Sequence, residues 1–479
     1  MNQSAALSPP SPWLIQGGMG VAISNWRLAR AVARQGQIGV VSGTAIETVF
    51  ARRLQDHGVD EELRGVLQRF PRADVVDRAL ERFASRRRRE GTPYRAVPML
   101  RVDSPRRDID LIVLASFVEV ALAKAGHGGL VGINLLTKIQ LPTAASLLGA
   151  MLAGVDYVMM GAGVPTHIPG ALDDLSEGRE VTMPLDVVGA SSEHPASSLR
   201  FDPAEYLAGA LARPQFFGIV SSNVLATALV RRSSGRVDGL VVERPSAGGH
   251  NAPPRGDYPV TEAGEPVYGP RDEVDYGALN KLDVPYWIGG GVTRAADVTA
   301  AQELGARGVQ VGTLFAYCRD SGMEEGLRRH ILHEAQEGPL RVVTSLRASS
   351  TGYPFKVLDE AGSVSEPAVY EQRPRHCDLG YLRENYLKDD GSVGYRCAAE
   401  PLRQYARKGG HSPEAAATAC LCNGLLATCG LAQVRADGYV EAPLVTSGDC
   451  VDAIAELAQG RDDYDAADVV AWLTPRVAD

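Results

Sequence analysis

Between Trp13 and about residue 318 the chain repeats one pattern: a short β-branched or apolar run, a turn, then a longer run with helical period. Eight runs are candidate strands: Trp13 to Gln16, Ile38 to Val41, Leu130 to Leu135, Val155 to Met160, Phe216 to Val220, Val237 to Val242, Pro285 to Ile288 and Gly308 to Val311. Between them, Asn25 to Gln35, Thr143 to Ala153, Asn223 to Arg232 and Arg294 to Leu304 read as amphipathic helices. Eight βα units in succession predict a (β/α)8, or TIM, barrel in preference to an open doubly wound sheet.

Two gaps are too long for simple connections. Residues 45–127 carry helical charge patterning and predict a helical insertion, with the basic run Arg86 to Arg89 as a solvated helix end. A second excursion, His167 to Pro214, is expected near the barrel mouth. Beyond Leu340 the periodicity changes. Residues 13–340 are therefore read as the barrel and 341–479 as an appended C-terminal cap. Its helices, Ala415 to Leu426 and Val451 to Leu457, are too few to bury a core alone.

Composition narrows the function classes. With 45% hydrophobic and 22% charged residues the chain is not disordered. Its 49 Lys and Arg against 58 Asp and Glu give a net charge of −9, so no basic excess points to nucleic acid or an anionic membrane. A small-molecule substrate is the expected partner. The longest apolar stretch, Leu111 to Val118, is cut by Glu119 and Lys124, far short of a membrane span. The opening MNQSAALSPPSPW has neither a charged nor an apolar leader region, so a cytoplasmic location is expected. Seven cysteines, an odd number in 479 residues, argue against a disulfide scaffold.

Three motifs carry chemistry. In VPYWIGGGVTRAADVTAAQELGARGVQVGT, the seventh strand ends in Gly289, Gly290 and Gly291 and the eighth in Gly312 and Thr313. Bare backbone there lets N–H groups converge on phosphate oxygens, and these are the barrel loops where phosphate commonly sits. Gly17, Gly18 and Met19 at the end of the first strand suit a flat ring lying against backbone. After the sixth strand delivers Glu243, Gly248 and Gly249 place His250 at the mouth. Imidazole is the side chain with a reference pKa near neutrality, which makes His250 the candidate acid or base. Asn134, in the third strand, offers an amide to a heterocycle edge, and Lys138 follows four residues on.

In this order IQGGMG, GINLL, VVERPSAGGHN, GGGV and GVQVGT resemble the nitronate monooxygenase (2-nitropropane dioxygenase) family of FMN-dependent barrels, over residues 13 to about 318. The resemblance implies FMN phosphate held at Gly290, Gly291, Gly312 and Thr313, with Gln310 beside them. It further implies an isoalloxazine edge against Gly17 to Met19, Asn134 and Gly248 near the ring, and His250 as catalytic base, with O2 as co-substrate. Two departures matter: Glu243 stands where the nitronate enzymes usually have glutamine, and their Gly-Gly-His-x-Gly run reads here Gly249-His250-Asn251-Ala252-Pro253. Glutamate is similar to the related FMN-dependent enoyl-acyl-carrier-protein reductases. That alternative would add NAD(P)H and an acyl carrier protein as partners; a non-catalytic flavin-binding protein of a biosynthetic pathway is the third reading. Because the second excursion and the C-terminal region are both expected to close over the mouth, a small nitronate anion is ranked ahead of a dinucleotide.

His376, Cys377, Cys397, Cys420, Cys422 and Cys429 contain ligand types for zinc or iron–sulfur, but Cys-x-Cys is not the common knuckle and small thiols also suit a helix core. No metal is expected there.

Overall fold

The computed structural model describes residues 12–410 and 413–475; most of the opening segment read above for a leader, residues 1–11, lies outside it. Eight parallel strands form a barrel: β1 (Leu14–Gln16), β2 (Gly39–Ser42), β3 (Val131–Leu136), β4 (Tyr157–Gly161), β5 (Gln215–Val220), β6 (Gly239–Glu243), β7 (Tyr286–Gly289) and β8 (Gly308–Val311). They pair in the order β1-β8-β7-β6-β5-β4-β3-β2, and Ile15 pairs with Ile38, just before β2, to close the ring. At this seam Gln16 N donates to Ile38 O at 2.9 Å and Ile38 N to Leu14 O at 3.0 Å. The buried Gln16 side chain lengthens it, its Oε1 accepting from Val40 N at 2.9 Å and its Nε2 donating to Ser24 Oγ at 2.7 Å. A closed ring leaves no strand edge unpaired.

Strands in such a ring are covered on both faces, so β1, β2, β4 and β7 are buried at every residue and read as continuous apolar runs. Successive side chains still alternate. Ile15, Val40, Met159, Phe217, Val241 and Trp287 fill the interior, while Leu14, Val41, Val158, Phe216, Val242 and Ile288 join the larger core under the helices. Phe217 meets Tyr157 edge-on at 5.0 Å and stacks on Trp287 at 4.9 Å. These rings help plug the barrel, and the strand C-termini open above the plug as the mouth.

The helical expectation for 45–127 holds, with four helices: Ile46–His57, Glu61–Leu67, Ala73–Phe83 and Arg106–Ala123. The last is buried at 15 of its 18 residues, packing on helices Trp26–Arg34 and Thr143–Leu152. A Cβ at Gly149 would overlap Val113 O, so the helix pair approaches to backbone contact there. Arg86, Arg87 and Arg89 are exposed beyond the end of helix Ala73–Phe83, whereas Arg88 turns inward to Asp56 at 2.7 Å. The second excursion forms a hairpin, Val181–Pro184 with Ser198–Phe201.

After residue 340 two further hairpins appear that the sequence reading left as loop: Val342–Ser345 with Phe355–Leu358, and Glu384–Leu387 with Val393–Arg396. Val342–Ser345, Glu384–Leu387 and Val393–Arg396 are only partly buried and carry polar residues, so no continuous apolar run marks them as the barrel strands are marked. Val188 of the second excursion joins the latter, its N–H donating to Asn385 O and its O accepting from Leu387 N, both at 2.9 Å. The expected single helix over Ala415 to Leu426 is instead a 3-10 turn, Pro413–Ala417, then helix Leu421–Thr428. Ala419 N donates outward to Ala348 O, which interrupts the helical ladder. Helices Ala453–Ala458 and Ala466–Leu473 bury Ile454, Leu457, Val469 and Leu473 in the barrel's own outer core. Among the described residues no helix is long and apolar enough to cross a membrane.

Gly308 opens β8 against the chain entering β1, and a Cβ there would overlap Trp13 O. Gly308→Ala is expected to lower stability by about 3 kcal/mol, because backbone cannot yield as a side chain can; urea titration measures it.

Candidate active site

Of the residues singled out for ligand binding or catalysis, all but Lys138 line one cavity of about 240 Å³ at the mouth. The floor is made at the end of β1. Ser24 Oγ donates to Gly17 O at 2.8 Å and accepts from Met19 N at 2.8 Å, so Gly17, Gly18 and Met19 are held as a flat shelf. A Cβ on Gly18 would overlap that of Asn134, whose Nδ2 donates to Gly18 O at 2.9 Å. The Oδ1 of Asn134 and the Oε1 of Gln310 are buried with no partner among the described residues. Both line the cavity, so each leaves an acceptor for a ligand.

At the other end, Gly290 and Gly291 have φ of +91° and +75°, conformations that favour glycine. A Cβ on Gly290 would stand 2.9 Å from Ala247 N. Among the described residues, no acceptor of the chain takes the N–H groups of Gly290, Gly291, Gly312 or Thr313. Converging free N–H groups on bare backbone fit an anionic, phosphate-like group.

The sequence reading missed the part that completes this cradle. Thr446, Ser447 and Gly448 cross over it from the C-terminal region, Gly448 N donating to Thr313 Oγ1 and Gly249 N to Thr446 Oγ1, both at 3.0 Å. A Cβ on Gly248 would stand 2.9 Å from Ser447 C. The available signal was the small-residue run VTSGD, unremarkable until the fold brings it to Gly248. Tyr381, Leu421, Cys422 and Leu425 close the cavity from the same region. Tyr381 is fastened to helix Ile46–His57 by Glu47 at 2.6 Å and Thr48 at 2.7 Å.

Electrostatics redistribute the expected roles. His250 Nε2 lies 2.7 Å from Ser349 Oγ, which is bonded to Thr351 Oγ1 at 2.7 Å, and its ring meets Phe355 edge-on. Burial, and then the nearby Lys138 ammonium, push the imidazole down to about 3, so it is neutral at pH 7. Burial pushes the Glu243 carboxyl up to about 7 and the Lys138 ammonium down to about 7. Lys138 Nζ sits over the Tyr353 ring at 2.8 Å from its centroid. The groups titrating near neutrality are thus Glu243 and Lys138, whereas the reference values had pointed to His250. No Lys or Arg is among the described residues lining the cavity.

Below about pH 4.5 the Glu243 carboxyl is protonated in folded and unfolded chain alike. Between 4.5 and 7 the unfolded chain ionises first, so this group makes stability fall as pH rises. In flavin-free protein Glu243→Gln should remove that loss, gaining up to about 3 kcal/mol over wild type at pH 7.5 relative to pH 4.5, measured by urea titration at both. For the cradle, Gly290→Asp is expected to abolish uptake of a phosphorylated flavin, read by fluorescence quenching on titration with FMN.

The family model described as nitronate monooxygenase matches residues 184–411. A nitronate monooxygenase of Paraburkholderia phytofirmans is 30% identical over 169 residues, 33% of this chain and 42% of that protein. A probable nitronate monooxygenase of Staphylococcus haemolyticus is 31% identical over 101 residues, 21% and 27% of the two chains. The chain thus spans less than half the length of the curated relatives it matches. Among solved structures, FabK from Thermotoga maritima aligns with a TM-score of 0.45 at 14% identity, covering 96% of this chain and 90% of that one. The nitroalkane oxidase of Streptomyces ansochromogenes gives 0.40 at 14%, covering 73% and 77%. With the motifs in their expected order on a closed barrel, this chain is similar to the nitronate monooxygenase family.

Proposed function

We propose that this protein is an FMN-dependent oxidoreductase whose preferred substrate is a neutral α,β-unsaturated acyl thioester. The observation that carries the choice of substrate is the charge inventory of the cavity: a buried carboxyl, a neutral imidazole and no lining cation among the described residues. When bound, FMN supplies a two-electron carrier. The free N–H groups of Gly290, Gly291, Gly312 and Thr313 suit its phosphate, which adds further negative charge. The unpaired oxygens of Asn134 and Gln310 suit its N–H edge, and the Gly17 to Met19 shelf its flat ring. Glu243, protonated for much of the population near neutrality, donates an O–H to the cofactor.

A nitronate anion entering such a cavity would be desolvated without a counter-charge, which is costly. A neutral acyl chain meets no such cost, and Leu136, Ile139, Ile219, Leu382, Leu421 and Leu425 offer it apolar walls. This ranking reverses the sequence-based preference for a nitronate. His250, neutral and held by Ser349, donates a ring N–H to the thioester carbonyl in place of acting as a base. Lys138 does not line the cavity, so the proton taken by the α-carbon comes from solvent. Nitronate oxidation is the second reading, favoured by the named activities of the matched relatives.

Anaerobic mixing with NADPH should bleach the flavin, and crotonyl thioester should restore its colour. Oxygen consumption with ethyl nitronate, and no bleaching by NADPH, would instead establish the second reading. In the thioester reaction His250→Ala is expected to lower turnover about a hundredfold with flavin still bound.

A further inference from the structure

Four thiols from three separated stretches face one small space. Cys377 lies in the loop before strand Glu384–Leu387, Cys397 follows strand Val393–Arg396, and Cys420 and Cys422 flank the first residue of helix Leu421–Thr428. Together they line a void of about 10 Å³, and none is in a disulfide. His376 and Cys429, grouped with them by sequence, fall outside: His376 is exposed, and the Cys429 thiol donates to Val21 O at 2.7 Å.

Backbone N–H groups reach three of the four sulfurs, while burial pushes the Cys420 and Cys422 thiols up. The backbone N–H of Ala399 is directed at Cys397 Sγ, that of Asn423 at Cys420 Sγ, and those of Tyr381 and Leu382 at Cys422 Sγ. N–H donors aimed at sulfur stabilise the anionic form, and such outer partners accompany metal-bound ligands. The Cys377 thiol lies against Cys397, and the Arg383 guanidinium is close enough to all but Cys420 to offset negative charge.

We propose that Cys377, Cys397, Cys420 and Cys422 bind one tetrahedral zinc ion. Four sulfur ligands around a space of this size suit a single ion with Zn–S bonds of about 2.3 Å, whereas a cubane cluster needs more room. Among the described residues no three of the sulfurs lie within 4.8 Å of one another. Zinc entry draws them inward by side-chain rotation and loop adjustment, displacing four protons per ion. The gain is structural, because the apolar cluster around these thiols is small and a metal supplies the missing core. Leu382, Leu421 and Cys422 line both this space and the large cavity, so the ion also sets the position of the cavity wall.

Elemental analysis of the untagged full-length protein should find about one zinc per chain. Cys397→Ser should lose it, and Cys429→Ser should keep it. Should Cys397→Ser fail to fold, the wild-type protein decides alone. Stripped of metal and given cobalt(II), it should show the intense d–d bands of tetrahedral thiolate coordination at wavelengths beyond flavin absorption, erased by one equivalent of zinc. Wild-type protein without zinc and without that cobalt spectrum, full zinc retention by folded Cys397→Ser, or iron with acid-labile sulfide in place of zinc would each overturn the proposal.

Discussion

The seam between β1 and β2 is the contact on which the rest of the molecule depends. An open eight-stranded parallel sheet would leave two edges to solvent and its strand C-termini spread along a line. The pairing of Ile15 with Ile38, extended by the Gln16 side chain to Val40 N, turns that line into a ring. Only then do Gly17 to Met19 of the first strand, Gly290 of the seventh and Gln310 of the eighth face one another. Ser24, bonded to Gln16, Gly17 and Met19 together, couples the seam directly to the cavity floor. Closure and site are therefore one hydrogen-bonded unit.

The cavity belongs to barrel and C-terminal region jointly. Thr446 to Gly448 lie on the cradle, Tyr381 anchors to helix Ile46–His57, and Leu421, Cys422 and Leu425 form a wall. Covering the mouth excludes water, which lowers the local dielectric and moves every titratable group in it. The downward push on His250 and Lys138 and the upward push on Glu243 share that cause.

What could be read in the residues followed from short-range physics. Both faces of each barrel strand are buried, so runs such as GVVS and LVVE stand out without any partner strand being known. Helices Asn223–Arg232 and Trp26–Arg34 announced themselves through their period, and the structure adds an N-cap to the second, Asn25 Oδ1 accepting from the N–H groups of Arg27 and Leu28. The glycines of the cradle were legible because steric demand on backbone is local: Gly290 must take a positive φ and Gly18 must admit Asn134. The two C-terminal hairpins escaped notice because most of their strands are only partly buried and mix polar with apolar residues, leaving no apolar run to read.

The sequence by itself determined the barrel and the glycine turns at its mouth, since burial pattern and backbone sterics are carried by a few neighbouring residues. Gln310 and the ring-side place of Gly248 came only through the resemblance to a family. Tertiary structure alone decided what those residues can do. Whether His250 or Glu243 titrates near neutrality rests on their burial in the folded cavity. Whether four cysteines are scattered core fillers or face one space rests on how three loops fold back on one another. Both are properties of distance in space, which spacing along the chain does not encode.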